Sequence, residues 1–235
     1  MRPHVGGFFP LNYITYSSIF RFPDSAASAP GCGTIGAAGL GARPQTRALT
    51  HMAQTPPFCM TQASALTLRP ATVADAALLA SMHAASWQAT YHALLPAAFL
   101  EHDVAAERAA YWRARMEAPG GDRRLVLIAE LDTGAAAGFV CAERQPGSPW
   151  GVLLDNLHAL PAHQGIGVGK RLMRAAQDWA RAQGEAQLYL YVLDGNTPAI
   201  SFYERQGWTY SGSEPDRMGG IDITALRYVY RLDRM

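Results

Sequence analysis

Three glycines set two residues apart, Gly165, Gly167 and Gly169, run directly into Lys170 and Arg171, and this is where residue type and spacing point most clearly to chemistry. They sit in PAHQGIGVGKRLM, Pro161 to Met173. A loop without side chains that opens a helix presents backbone N–H groups with no intrahelical partner, together with the positive end of the helix dipole. Such a loop suits a phosphate group. The elements on either side fit that use. GVLLDNLHAL, residues 151 to 160, is a hydrophobic strand. Downstream, Leu172, Ala175, Ala176 and Trp179 share one face of a helix, with Lys170, Arg171, Arg174, Asp178 and Arg181 mostly on the other, until Gly184 stops it. The structural alternative is a plain glycine-rich turn.

Spacing narrows the kind of phosphate. Counting back from Gly169-Lys170, a Walker loop would need a glycine where Gln164 stands and a hydroxyl residue where Arg171 stands, and the G-x-G-x-x-G dinucleotide pattern fails at Lys170 and at Leu172. What remains is Gln164-x-x-Gly167-x-Gly169. A second motif follows in LYLYVLDGNTPAISFYERQGW, Leu188 to Trp208, where Asn196 precedes Tyr203 by seven residues and Gly207-Trp208 closes the segment. A third stretch, SWQATYHALLP, spans Ser86 to Pro96. Together these resemble the GNAT superfamily of acetyl-CoA-dependent N-acetyltransferases over about residues 64–235.

The resemblance implies an α/β fold: a mixed central sheet of about seven strands, flanked by helices and splayed between its fourth and fifth strands. It implies acetyl-CoA as acyl donor, its pyrophosphate on Gln164, Gly165, Ile166, Gly167, Val168, Gly169 and Lys170. The pantetheine arm would follow Leu157, His158 and Ala159, with Asn196 also on the cofactor side. A backbone N–H near Ala159 would polarise the thioester carbonyl. Tyr203 would protonate the departing thiolate. Trp87 and Tyr91 fall on helices that face the acceptor in the family, burial being the alternative for both. Several relatives carry a basic Glu where Leu153 and Tyr191 stand here, so that assignment does not transfer. Asp155 is the nearest carboxylate, with a capping or surface role as the alternative, and His158 and His163 read more simply as packed or solvated. The implied reaction is direct attack of a small-molecule primary amine on acetyl-CoA. A peptide or protein acceptor, or a non-catalytic acyl-CoA sensor, are the other readings.

Composition agrees. A chain of 235 residues with 49% hydrophobic and 17% charged residues can bury a sizeable core, and a net charge of +1 argues against a nucleic-acid partner. Cys32, Cys59 and Cys141 are scattered, odd in number and free of C-x-x-C spacing, which argues against a disulfide framework or a zinc site and fits a cytoplasmic protein without a metal. No apolar run is long enough for a membrane span. A homodimer is left open.

The pattern changes near residue 64. Residues 1–63 are rich in Gly, Ala, Ser and Pro without periodicity, as in GCGTIGAAGLGARPQ, and read as an unstructured extension. Its origin is a misassigned start, with Met52 or Met60 the true one, a targeting segment, or a flexible arm. Residues 64–235 form the domain. ALTLRPA predicts a strand, and Thr72 with Asp75 predicts the cap of a helix carrying Leu78, Leu79 and Met82. A second helical stretch runs from about Pro96 to Met116. RRLVLIAEL and AAGFVCAER, around Asp132-Thr133-Gly134, predict a hairpin. WTYSGSEPD and ITALRYVYRL predict two last strands around Met218-Gly219-Gly220.

Overall fold

A computed structural model of the chain describes residues 66–118 and 120–232; the extension expected over residues 1–63 lies outside them. In chain order the elements are β1 Leu66–Pro70, α1 Ala76–Thr90, a π-helical turn Phe99–Asp103 leading into α2 Val104–Glu117, β2 Arg124–Leu131, β3 Ala136–Arg144, β4 Val152–Ala159, α3 Val168–Ala182, β5 Gln187–Leu193, α4 Thr197–Arg205, β6 Thr209–Met218 and β7 Ile221–Arg231. One seven-stranded sheet has the order β1-β2-β3-β4-β5-β7-β6. Every neighbouring pair is antiparallel except β4 and β5. The parallel pair needs a crossover, and α3 supplies it.

Helices cover both faces of the sheet, so the central strands carry near-continuous apolar runs instead of an alternating pattern. On one face Leu172, Met173 and Ala176 of α3 and Tyr203 of α4 pack on Val140, Leu154, Leu157, Leu188 and Leu190. On the other, Leu79, Met82 and Trp112 meet Ile128, Phe139 and Cys141, while Trp87, Tyr91, Leu100 and Val104 meet Tyr189, Tyr191, Leu193 and Val229. Gly138 on β3 is required by proximity: a Cβ there would stand 2.3 Å from the His158 carbonyl oxygen and 3.0 Å from Val168 Cγ1. It lets β3, β4 and the start of α3 close on one another.

The start of α1 is tied to the sheet edge. Asp75 Oδ2 accepts from the Thr72 N–H at 2.8 Å and from Thr72 Oγ1 at 2.9 Å, and Arg69, which also bonds Glu130, grips the same carboxylate. Three expectations need correction. Leu78 is exposed, whereas Leu79 and Met82 of the same helix are buried. Trp179 is half-buried at the edge of the core, because Leu172, Met173, Ala176 and Ala180 define the innermost line of α3. β6 runs on through Pro215 to Met218, a placement open to proline because this strand is the sheet edge.

Two buried imidazoles face each other between α1 and β4. The ring centroids of His83 and His158 are 4.5 Å apart; Trp112 Nε1 donates to His83 Nδ1 at 3.1 Å, and Ser86 Oγ lies 3.0 Å from His158 Nδ1. Burial first, then the positive charge of Arg108, holds His158 down to about 3, and burial with the charges of His158 and Arg108 holds His83 well below its ordinary value. The unfolded chain takes up these protons near pH 6.5 and the folded chain does not, so stability is full above pH 6.5 and falls below it. Urea unfolding should therefore weaken between pH 6.5 and 5 by up to about 1.4 kcal/mol per pH unit per histidine, with a shallower slope in His83→Gln. A flat profile in wild type would show that the rings accept protons in place.

Candidate active site

β4 and β5 pair at only two positions, Val152 with Leu188 and Leu153 with Tyr189. Beyond them the strands part. The register between β3 and β4 shifts at that point, with Cys141 opposite Asn156 and Ala142 opposite Leu154, so Asp155 is the extra residue of a bulge. After the bulge the backbone alternates strictly. The His158 carbonyl is directed at β3, and Leu160 N–H bonds the Ala137 carbonyl, so the peptide groups of Leu157 and Ala159 turn the opposite way, into the splay. Of the three residues expected along the cofactor arm, Leu157 and Ala159 thus present backbone to the gap, whereas His158 commits its backbone to β3 and its ring to the α1 side. Gln164 Nε2 donates to the Ala159 carbonyl at 3.2 Å and closes the end of the strand.

The glycine loop stands at the mouth of the splay. Gly167 is the residue before α3 and adopts φ 90°, a conformation that a side chain rarely tolerates, and a Cβ built there meets nothing within 4 Å. The space above the first turn is clear, and the N–H groups of that turn have no intrahelical acceptor. Val168 and Gly169 are buried against the sheet, while Ile166, Lys170 and Arg171 are exposed. Farther along the same helix Lys170, Arg174 and Arg181 line a groove of about 490 Å³ with Arg205 of α4. Helix start, bare backbone and basic flank all suit an anionic ligand.

On the other bank, Asn196 caps α4 through its Oδ1, which accepts from the Ala199 N–H at 3.3 Å. Two helical turns later comes Tyr203, fully buried, its ring edge-on to Trp208 at 5.7 Å. Tyr91, at the end of α1, reaches the same place. Burial raises its phenol well above the ordinary value, the neighbouring Tyr203 adds to that, and a polar contact from Asn196 acts in the opposite sense. Trp87 is also buried, with the Arg108 guanidinium 4.7 Å above its ring. Phe99 of the π-helical turn packs against Gly219, so the α1–α2 connection and the β6–β7 turn meet.

A model described as the acetyltransferase (GNAT) family matches residues 87–208, just over half of the chain. The chain belongs to the GNAT acetyltransferase family. Streptothricin acetyltransferase from Streptomyces lavendulae is 35% identical over 98 residues, covering 41% of this chain and 50% of that protein. Mycothiol acetyltransferase from Streptosporangium roseum is 49% identical over 49 residues, 21% of this chain and 14% of that protein. The chain thus spans half or less of these curated relatives. A GCN5-related N-acetyltransferase from Rhodopseudomonas palustris superposes with a TM-score of 0.58 at 25% identity, over 72% of this chain and 97% of its own. The PaiA N-acetyltransferase of Thermoplasma acidophilum, in complex with coenzyme A, gives 0.53 at 18% identity over 71% and 99%. The expected GNAT fold is the observed one, including the parting of β4 from β5.

Two carboxylates of this GNAT domain sit differently from what the sequence suggests. Asp155 is neither capping nor on the surface: it is 2% exposed, accepts from Tyr111 Oη at 2.7 Å and Asn156 Nδ2 at 3.0 Å, and pairs with Arg115 at 2.8 Å. Arg115 also bonds Glu143, which bonds Arg124, so the bulge is clamped to α2 and β2. Glu214 on β6, by contrast, was not singled out by any motif. It accepts from Tyr191 Oη at 2.8 Å and from Arg227, whose guanidinium lies 4.0 Å from the Trp150 ring centroid. Burial and then this bond push the Tyr191 phenol up to about 12. A carboxylate thereby reaches β5 from β6, although position 191 itself is a tyrosine. Among the described residues no cluster of metal-ligating side chains is present. Removing the Asp155 carboxylate leaves a buried guanidinium short of a partner, so Asp155→Ala should lower stability by about 3 kcal/mol in urea unfolding. Unchanged stability with lost turnover would instead return Asp155 to a role in the reaction.

Proposed function

We propose that this acetyltransferase transfers the acetyl group of acetyl-CoA to a primary amine of a small molecule by direct attack. The observation that carries the reading is two sets of backbone groups turned to one place, those of Leu157 and Ala159 at the splay and those of the first turn of α3, with the Tyr203 side of α4 on the far bank. The peptide groups of Leu157 and Ala159 pair with an amide-bearing arm as a strand would, and the N–H groups from Gly165 to Lys170 take a pyrophosphate. Ala159 N–H is directed to donate to the thioester oxygen, where negative charge grows as the amine attacks. Tyr203 gives its proton to the leaving sulfur: phenol and thiol reference values near 10 and 8.5 make the transfer uphill by only about 2 kcal/mol. Asp155 already serves Tyr111, Asn156 and Arg115, so we assign it to holding the bulge; Asn196 caps the helix that carries Tyr203. The names of the curated relatives, streptothricin acetyltransferase and mycothiol acetyltransferase, support a small-molecule acceptor over a protein.

Release of free thiol from acetyl-CoA, across amino acids, aminoglycosides, polyamines and peptides, tests the reading. Binding of acetyl-CoA with no release for any amine would favour a sensor. Gly167→Val should raise the acetyl-CoA Kd at least about 10-fold by calorimetry, with a stability loss of about 1–2 kcal/mol from the left-handed backbone. Tight binding of ATP or NAD and none of acetyl-CoA would overturn the donor. Tyr203→Phe keeps the ring and removes the hydroxyl. Turnover should fall about 10- to 100-fold while acetyl-CoA affinity and melting temperature hardly move, since the lost interaction belongs to the transition state. Wild-type turnover under conditions where chemistry limits the rate would remove Tyr203 from the reaction.

A further inference from the structure

Among the described residues, Arg108 on α2 has the arginine guanidinium most poorly matched by protein, with two buried nitrogens and no acceptor for either. The residue is 6% exposed. It stands over two aromatic rings, with Trp87 at 4.7 Å and Tyr111 at 4.9 Å from the guanidinium carbon to the ring centroids. In the plane, Nη2 donates to Glu107 Oε1 at 2.8 Å, on a side chain that is half in solvent. Nε and Nη1 are buried and find no acceptor among the described residues. Arg115 and Arg124, its neighbours, are both met by the carboxylate of Glu143, and Arg115 by Asp155 as well. A charged donor buried without an acceptor is costly, and aromatic faces satisfy a guanidinium from above and below but not along its N–H bonds.

Arg108, Tyr111, Arg115, Arg124 and Glu107 line a pocket of about 520 Å³. That volume suits a small molecule. The wall of the pocket is linked to β4, because Tyr111 and Arg115 both hold Asp155, two residues before Leu157 at the splay. Three guanidiniums in the wall, with Glu143 and Asp155 already engaged, disfavour a polycation there and favour an anion. We propose that Arg108 is a specificity-determining residue that binds an oxyanion group, carboxylate or phosphate, on the acceptor amine. The acceptor class is then an amine that also carries an acid, and this rests on the amine-acetylation reading above.

The test compares acceptors matched in the amine. Free amino acids are set against their carboxamides, and 2-aminoethyl phosphate against 2-aminoethanol, with spermidine as the polycation, each followed by thiol release from acetyl-CoA. Wild type should favour the acidic member of a pair by at least about 10-fold in kcat/KM. The pair that shows it tells carboxylate from phosphate. Arg108→Gln should raise KM for the acidic member about 10- to 100-fold more than for its neutral counterpart, and Arg108→Lys should restore part of the difference. Calorimetric titration of the acidic acceptors gives the same comparison without turnover. Equal use of acidic and neutral members by wild type, or a preference for spermidine, overturns the assignment of Arg108 and leaves acetylation standing. No thiol release with any amine overturns the acetylation reading and the acceptor class with it.

Discussion

The parting of two parallel strands is the constraint on which the rest of the molecule depends. β4 and β5 share two pairing positions and then separate, although both remain inside a seven-stranded sheet. Buried peptide groups without partners are unfavourable by about 1–3 kcal/mol each, so strands do not separate unless the surroundings forbid their closure. Two features forbid it here. The bulge at Asp155 bends β4 and rotates Leu157 and Ala159 away from β3, and Trp208, Tyr203 and Tyr91 fill the volume beside β5 with rings that cannot be compressed. The donors left at the gap are the ones proposed above to hold the acyl carrier.

Charge is deployed to hold this geometry more than to advertise it. With almost equal numbers of acidic and basic residues, the chain has no global field to speak of. Its buried ions instead form local clamps. Arg115, Asp155, Glu143 and Arg124 fasten the bulge to α2 and β2, and Glu214 and Arg227 fasten the β6–β7 ribbon to Tyr191 on β5. The two clamps lie on opposite sides of the β4–β5 pairing. Arg108 stands apart from both because its exposed neighbour Glu107 answers only one of its nitrogens.

Much of this architecture is written in short stretches of chain. The hairpin around Asp132-Thr133-Gly134, the cap formed by Thr72 and Asp75, the glycine loop and the helix after it all follow from turn chemistry, capping and a 3.6-residue period, each decided by residues within a few positions of one another. The spacing of Asn196 and Tyr203 is likewise local, two turns of one helix with the first residue as its cap. The glycine loop, this spacing and the stretch from Ser86 to Pro96 carry the resemblance to the family, and the gap between the fourth and fifth strands is legible only through that resemblance.

What tertiary structure alone decided are the partnerships. Asp155 reads in sequence as an available carboxylate, yet its partners Tyr111 and Arg115 arrive from a helix about forty residues earlier. Tyr191 reads as the loss of a glutamate, yet Glu214 arrives from the edge strand to meet it. β7 lies between β5 and β6, an order set by which strands pair across the sheet and not by their succession along the chain. Local geometry is governed by torsions and neighbours along the chain, so sequence suffices for it. The protonation, charge balance and reach of a buried group are governed by whatever folding brings within a few ångströms, and in this domain those groups come from distant segments.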